Sequence, residues 1–233
     1  MTMIRLDKVT KKFGTGAFAL SDISLKVEKG EFVFLIGPTG SGKTTIFRLL
    51  IRDLLPTGGN IFVSDFDIVK LPHGKIPILR KKVGVVFQDL KLLTDRTIFE
   101  NIILSCEIAN IPKKEAIEKT HEALKRVGII EHKEKFPVQL SGGELQRAAI
   151  ARALVLSPEV VLADEPTGNL DLATSWEIVN LLSEINKKGT TIVMATHNTE
   201  IVNKMPLRIV GLDKGRIVRD EKKEEKKEDK NKK

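Results

Sequence analysis

Apolar residues along the chain fall into short runs divided by turn residues, and their spacing changes twice. Ile4–Val9, Ile23–Val27 and Glu31–Ile36 are β-rich runs separated by Gly14-Thr15-Gly16 and Lys29-Gly30, which predicts strands joined by turns. From Lys43 the apolar positions Ile46, Leu49, Leu50 and Leu54 recur at helical spacing, predicting a helix over 43–54. Ile61–Val63 and Val83–Phe87 return to strand-like runs. Between Thr97 and Ser157 the period is helical again. Ile117, Leu124 and Val127 share one face there, Pro112 stands at the entry, and Ser141–Leu156 forms a second helical stretch. Alternation then resumes, with strand Val160–Ala163, helix Thr174–Ile185, strand Thr191–Ala195, helix Thr199–Lys204 and strand Ile209–Leu212. That order predicts an α/β fold with a largely parallel sheet, interrupted by a helical insertion at about 89–157.

Composition narrows the class without naming a function. The 233 residues are 41% hydrophobic and 30% charged, enough for a full core without disulfide support. The one cysteine, Cys106, excludes an internal disulfide, fits a reducing compartment and reads as a packing residue. Neither the N-terminus nor the longest apolar runs, Phe32–Ile36 and Val160–Ala163, have the length of a signal peptide or the ~20 residues of a membrane span. A membrane role therefore has to come through a partner. The net charge of +8 suits a lysine-rich solvated surface or a face for anions. Basic residues are dispersed and no aromatics interleave with them, so no nucleic-acid partner is expected. The stretch 221–233 contains only Glu, Asp, Lys and Asn, has no apolar residue to pack, and reads as a solvated tail.

Chemistry enters at Gly37-Pro38-Thr39-Gly40-Ser41-Gly42-Lys43-Thr44, a phosphate-loop pattern set between an apolar strand and a helix start. Its glycines let backbone N–H groups approach phosphate oxygens, and the helix N-terminus favours their charge. Lys43 is expected to reach the β- and γ-phosphates, and the Thr44 hydroxyl to ligate Mg²⁺. A second motif is the apolar strand Val160–Ala163 ending in Asp164 and Glu165. Asp164 suits the Mg²⁺ shell, and Glu165 can orient and polarise an attacking water. Leu140-Ser141-Gly142-Gly143-Glu144 precedes a helix and makes a second anion-binding start. One chain thus carries two such starts and one lysine-bearing loop. The second start is expected to serve a nucleotide held by another copy, in a head-to-tail homodimer.

Over about residues 3–220 these motifs resemble, in order, those of the ATP-binding-cassette ATPases. The resemblance implies a RecA-like P-loop core at about 1–88 and 158–220, with an N-terminal antiparallel β-subdomain and an inserted α-helical subdomain at about 89–157. It implies ATP and Mg²⁺ as cofactors, Lys43, Glu165 and His197 as catalytic residues, and Thr44, Gln88 and Asp164 at the metal. Gly37 to Thr45, Gln88, Ser141 to Glu144 and Asp171 are implied to meet nucleotide. Phe13 matches the adenine-stacking aromatic, with Phe18 as the alternative. His73, His121 and His132 have no motif around them and are read as surface residues.

Val85-Val86-Phe87-Gln88-Asp89-Leu90-Lys91-Leu92-Leu93, with Asp95-Arg96-Thr97 and Glu100-Asn101, is similar to the cell-division branch of that family. That likeness implies an integral membrane partner of the FtsX type, gripped through Leu90–Glu100, and a peripheral place on the cytoplasmic face of the membrane. Lipoprotein-release and macrolide-export ATPases share part of the pattern and remain an alternative.

Overall fold

A computed structural model of the chain describes residues 1–14, 16 and 18–222. Strands β1 (Thr2–Lys12), β2 (Phe18–Glu28), β4 (Gly58–Val63) and β5 (Phe66–Asp67) form an antiparallel sheet in the order β2-β1-β4-β5. A six-stranded sheet runs β10-β9-β3-β8-β7-β6, from β3 (Phe32–Ile36), β6 (Val83–Val86), β7 (Val160–Asp164), β8 (Thr191–Ala195), β9 (Arg208–Asp213) and β10 (Arg216–Glu221). Every pairing in it is parallel except β10 on β9.

The apolar runs of the sequence explain this sheet. β7 and β8 are buried at every position, as strands covered on both faces must be. Alternation along β3 sends Phe32 and Phe34 to one face and Val33 and Leu35 to the other. The Phe34 face packs on helices α3 (Ile98–Ile108), α4 (Lys113–Arg126), α5 (Gly142–Leu154), α6 (Leu172–Lys187) and α7 (Thr199–Lys204). The Val33 face packs on α1 (Lys43–Leu50), on α2 (Ile76–Lys82) and on the antiparallel sheet. Among the described residues no helix is long and apolar enough to cross a membrane.

Four local readings of the sequence change. The helix expected over 43–54 ends at Leu50, because Arg52 takes φ 57° and the N–H groups of Asp53 and Leu54 both turn back to Arg48 O. On α4 the buried positions are Ala116, Thr120, Ala123 and Leu124, leaving Ile117 half-exposed. Thr120 joins that face because its hydroxyl donates to Ala116 O at 2.8 Å. Glu221 is no part of a solvated tail: it pairs with Ile209 as the last residue of β10. The rest of the stretch called a tail, from 223 on, lies outside the described residues. α2, β5 and β10 are additional elements that the apolar spacing did not announce.

The segment before α3 is held from within. Asn101 is buried, accepts from Leu93 N–H at 2.7 Å, and donates to the carbonyls of Leu93, Arg96 and Thr97. Thr97 and Glu100 cap α3 reciprocally. Asn101→Ala strands those groups and is expected to cost about 2–3 kcal/mol of folding stability. Urea denaturation measures it, and a loss within experimental error of zero contradicts this account of the loop.

Candidate functional site

β3 delivers the chain into the loop 37–44, and the glycines there are dictated by contact. A Cβ on Gly37, at φ 152°, would lie 2.2 Å from Leu212 O; one on Gly42, at φ 112°, would lie 2.6 Å from Leu20 Cδ2. The loop is therefore wedged between β9 and the start of β2. α1 follows with Lys43 as its first residue. Lys43 is 7% exposed, and its Nζ donates to Gly37 O at 2.7 Å and Pro38 O at 3.2 Å. It also stands 3.7 Å from Glu165 Oε1.

β7 brings the carboxylates to the same place. Thr44 Oγ1 donates to Asp164 Oδ2 at 2.8 Å, while Asp164 Oδ1 is buried without a hydrogen-bond partner among the described residues. Burial pushes the Asp164 carboxyl up from its usual range, and the neighbouring Glu165 adds to this; the Thr44 hydrogen bond and Lys43 oppose it. Glu165 sits at φ 49°, an uncommon conformation for a side chain of its size. Its N–H is held by Ala195 O at 2.9 Å, and its Oε2 lies 2.7 Å from His197 Nδ1. Because a carboxylate only accepts, the proton of that contact is on Nδ1. Glu165 is 10% exposed and His197 69%, so the histidine forms the solvent side of the pair.

The remaining residues fall into two groups. Gln88, exposed just past β6, lines a cleft of about 1020 Å³ together with Thr44, Asp164 and Asn169. Ser141, Gly142, Gly143 and Glu144 line a separate recess of about 320 Å³ with Asn169, Asp171 and Thr174. No residue of the 37–45 segment lines that recess. Ser141 caps α5: its N–H and its hydroxyl both donate to Glu144 Oε2 at 2.7 Å. These bonds hold the Glu144 carboxyl below its usual range. Asp171 caps α6, accepting from Thr174 N–H at 3.0 Å and Thr174 Oγ1 at 2.6 Å. Phe13 and Phe18 are both exposed beside the β1–β2 turn, each under a lysine ammonium.

Two of the histidines read as surface residues are engaged. His121 packs on Phe99 at 5.2 Å between ring centroids, and His132 Nε2 lies 3.1 Å from Glu144 Oε1. Nothing in the sequence around His132 pointed to that contact, because it joins two stretches twelve residues apart across a turn.

A phosphate loop wedged into a parallel sheet, with a lysine and two strand-end carboxylates converging on it, defines a P-loop nucleotide-binding protein. Residues 20–168 match the family model described as ABC transporter, and the chain belongs to that family as an ATP-binding cassette of the ATPase class. It is 47% identical to the cell division ATP-binding protein FtsE of Streptococcus pneumoniae serotype 2 (strain D39 / NCTC 7466), over 97% of this chain and 98% of that one. It is 50% identical to the protein of that name from Mycobacterium tuberculosis, over 94% and 96%. Among solved structures, the dimeric post-hydrolysis state of the ATP-binding cassette MJ0796 bound to ADP and Pi superposes with a TM-score of 0.85 at 35% identity, covering 95% of this chain and 99% of that one. CbiO1 of Clostridium perfringens, part of the transporter complex cbiONQ, gives 0.86 at 30% identity, covering 95% and 88%.

Gly37→Ala forces a Cβ into Leu212 O. The substitution is expected to cost about 2 kcal/mol or more and to weaken binding of a fluorescent ATP analogue. Wild-type stability together with wild-type binding would remove the steric reason given for this glycine.

Proposed function

We propose that the chain is the ATP-hydrolysing subunit of a cell-division complex of the FtsE type, working as an ATP-clamped homodimer on an integral membrane partner of the FtsX type. The observation that carries the reading is the division of the motifs. Lys43, Thr44, Asp164, Glu165 and His197 meet at one place, and the Ser141 recess lies apart from it. A second copy placed head to tail supplies the missing half.

The residues around Thr44 fit Mg²⁺. One hydroxyl, from Thr44, and one carboxylate, that of Asp164 with its Oδ1 buried and unpartnered among the described residues, make a hard-oxygen set that leaves room for phosphate and water ligands. Thr44 and Asp164 would hold the ion, with Gln88 facing the same cleft. When bound, it neutralises charge on the β- and γ-phosphate oxygens.

The chain's own groups divide the remaining work. The backbone N–H groups of the 37–45 segment cradle the phosphates, and Lys43 places its cation on them. Phe13 or Phe18 stacks on the adenine. Glu165 accepts a proton from the attacking water, and His197 Nδ1–H keeps its carboxylate turned toward that water. Ser141, Gly142 and Gly143 of the second copy donate to the γ-phosphate, with Asp171 at the seam.

Residues about 1–88 and 158–220 form the nucleotide-holding part of a domain spanning 1–220, and about 89–157 the part bearing the Ser141 loop. The membrane partner is met through Leu90–Glu100. Lys91, Leu93, Thr94, Asp95 and Arg96 are exposed there, while Thr97, Glu100 and Asn101 shape the loop. On this reading the protein works at the cytoplasmic face of the membrane, held there by its partner.

Glu165→Gln is expected to bind ATP normally, lose turnover by about a hundredfold or more, and accumulate as an ATP-dependent dimer in sedimentation. Full turnover in that variant rules out Glu165 as the base. Ser141→Arg is expected to abolish hydrolysis while leaving the fluorescent analogue bound at its own loop. Retained turnover in a dilute monomer rules out the shared site.

A further inference from the structure

His132 ends the short 3-10 turn Ile130–His132, and its Nε2 lies 3.1 Å from Glu144 Oε1. The other oxygen of that carboxylate takes both the N–H and the hydroxyl of Ser141. A carboxylate only accepts, so Nε2 carries the proton of the first contact. His132 Nδ1 is buried without a hydrogen-bond partner among the described residues. A buried ring nitrogen left unsatisfied costs stability, and a phenyl ring would fill the space without that cost. Packing alone therefore does not account for an imidazole here; the bond from Nε2 does.

The backbone under His132 is fixed as well. Phe99 N–H donates to Lys133 O at 2.9 Å, and Ile98 N–H to Lys135 O at 2.8 Å. The ring thus stands on a turn tied to the start of α3. It holds the second oxygen of a carboxylate whose first oxygen is tied to Ser141, so the pair of contacts fixes the plane of the carboxylate.

We propose that His132 is a positioning residue for ATP hydrolysis. It holds Glu144 Oε1, which fixes the carboxylate that sets Ser141, and so places the donors that meet a γ-phosphate held by the second copy. This rests on the reading of Ser141 as a donor across the dimer. The pinning has a second effect when phosphate arrives. Ser141's hydroxyl has to turn from Glu144 toward the phosphate, and a held carboxylate stays in its place, whereas a loose one would bring like charge to the phosphate.

The test compares His132→Phe with His132→Gln, whose amide N–H has similar reach. In the Phe variant, binding of a fluorescent ATP analogue by dilute monomer stays at the wild-type value. ATP-driven dimerisation, read in the Glu165→Gln background, weakens, and kcat/KM falls about tenfold, the size of one hydrogen bond to a charged group. His132→Gln recovers most of the loss. In a Glu144→Ala background His132→Phe produces no additional loss, because the residue acts through that carboxylate. The proposal is overturned if the Phe variant dimerises and turns over as wild type, if its loss is equally large with Glu144 absent, or if Gln rescues nothing. Ser141→Ala separates the two levels. Wild-type turnover in it removes the underlying reading, whereas its loss beside an unaffected His132→Phe removes the positioning role alone.

Discussion

A lysine cation with almost no access to solvent, set against a carboxylate pair at the end of a fully buried strand, is the constraint around which this molecule is arranged. Lys43 and Asp164 are each 7% exposed. Charges so placed are tolerated only with partners, and here the partners are two backbone carbonyls and the Glu165 carboxylate for Lys43 and the Thr44 hydroxyl for Asp164. Glu165 adds a backbone at φ 49°, stabilised by its N–H on Ala195 O. Groups whose hydrogen-bonding capacity is left over, such as Asp164 Oδ1 and Ser41 Oγ, lie in the same place. A folded protein that leaves such groups open beside a phosphate loop is preorganised for an anion and a hard cation.

The sheet makes this possible by being rigid on both faces. Its strands alternate their side chains between two separate apolar clusters, and β3 and β7 both pair in parallel register with β8 between them. The helix that carries the Ser141 loop is fitted to the same sheet. A Cβ on Gly84 of β6 would lie 2.4 Å from Ala153 O of α5, so glycine allows the helix to lie close on the strand. Arg152 of α5 donates to Leu90 O and Lys91 O, joining that helix to the stretch just after Gln88. Burial pulls the Arg152 guanidinium below its usual range and the Asp89 charge opposes this, while its hydrogen bonds in this joint go to the two carbonyls.

How much of this could be read in advance depends on whether a residue's partner is near in sequence or fixed by a motif. The parallel sheet was legible because doubly covered strands are apolar at every position. The 37–44 loop was legible because glycine and lysine spacing encodes phosphate geometry directly. The meeting of Thr44 with Asp164 and of Glu165 with His197 followed only from family order, since 120 and 32 residues separate the partners. His132 was passed over because its partner is recognisable only after the turn 129–136 is folded. Thr97, Glu100 and Asn101 stood out as resemblance markers, and the structure gives them work inside the loop, as caps and as a staple. β10 was missed because Arg216–Glu221 has only two apolar residues, Ile217 and Val218, side by side without strand alternation, and it pairs at the sheet edge with most of its side chains exposed.

The cleft beside Thr44 and the recess beside Ser141 are joined by a short, hydrogen-bonded span. From Glu165 to Asp171 the chain turns twice, with Gly168 N–H on Glu165 O at 3.1 Å and Leu170 N–H on Thr167 O at 3.3 Å. Asp171 then caps α6, and Asn169 lines both the cleft beside Thr44 and the recess beside Ser141. The recess wall is tight: a Cβ on Gly143 would lie 2.7 Å from Thr174 Cγ2, and one on Gly142 3.2 Å from Leu170 Cδ2. Gly168, Asn169 and Asp171 are exposed along the span, so its turn bonds and the Asp171 cap tie its two ends together. On the proposed reading, displacement of Glu165 as its phosphate departs is therefore felt at Asp171 and at the Ser141 loop. With the Ser141 loop serving the other nucleotide, as proposed, each chain would carry news of its own hydrolysis to the site it completes for its twin.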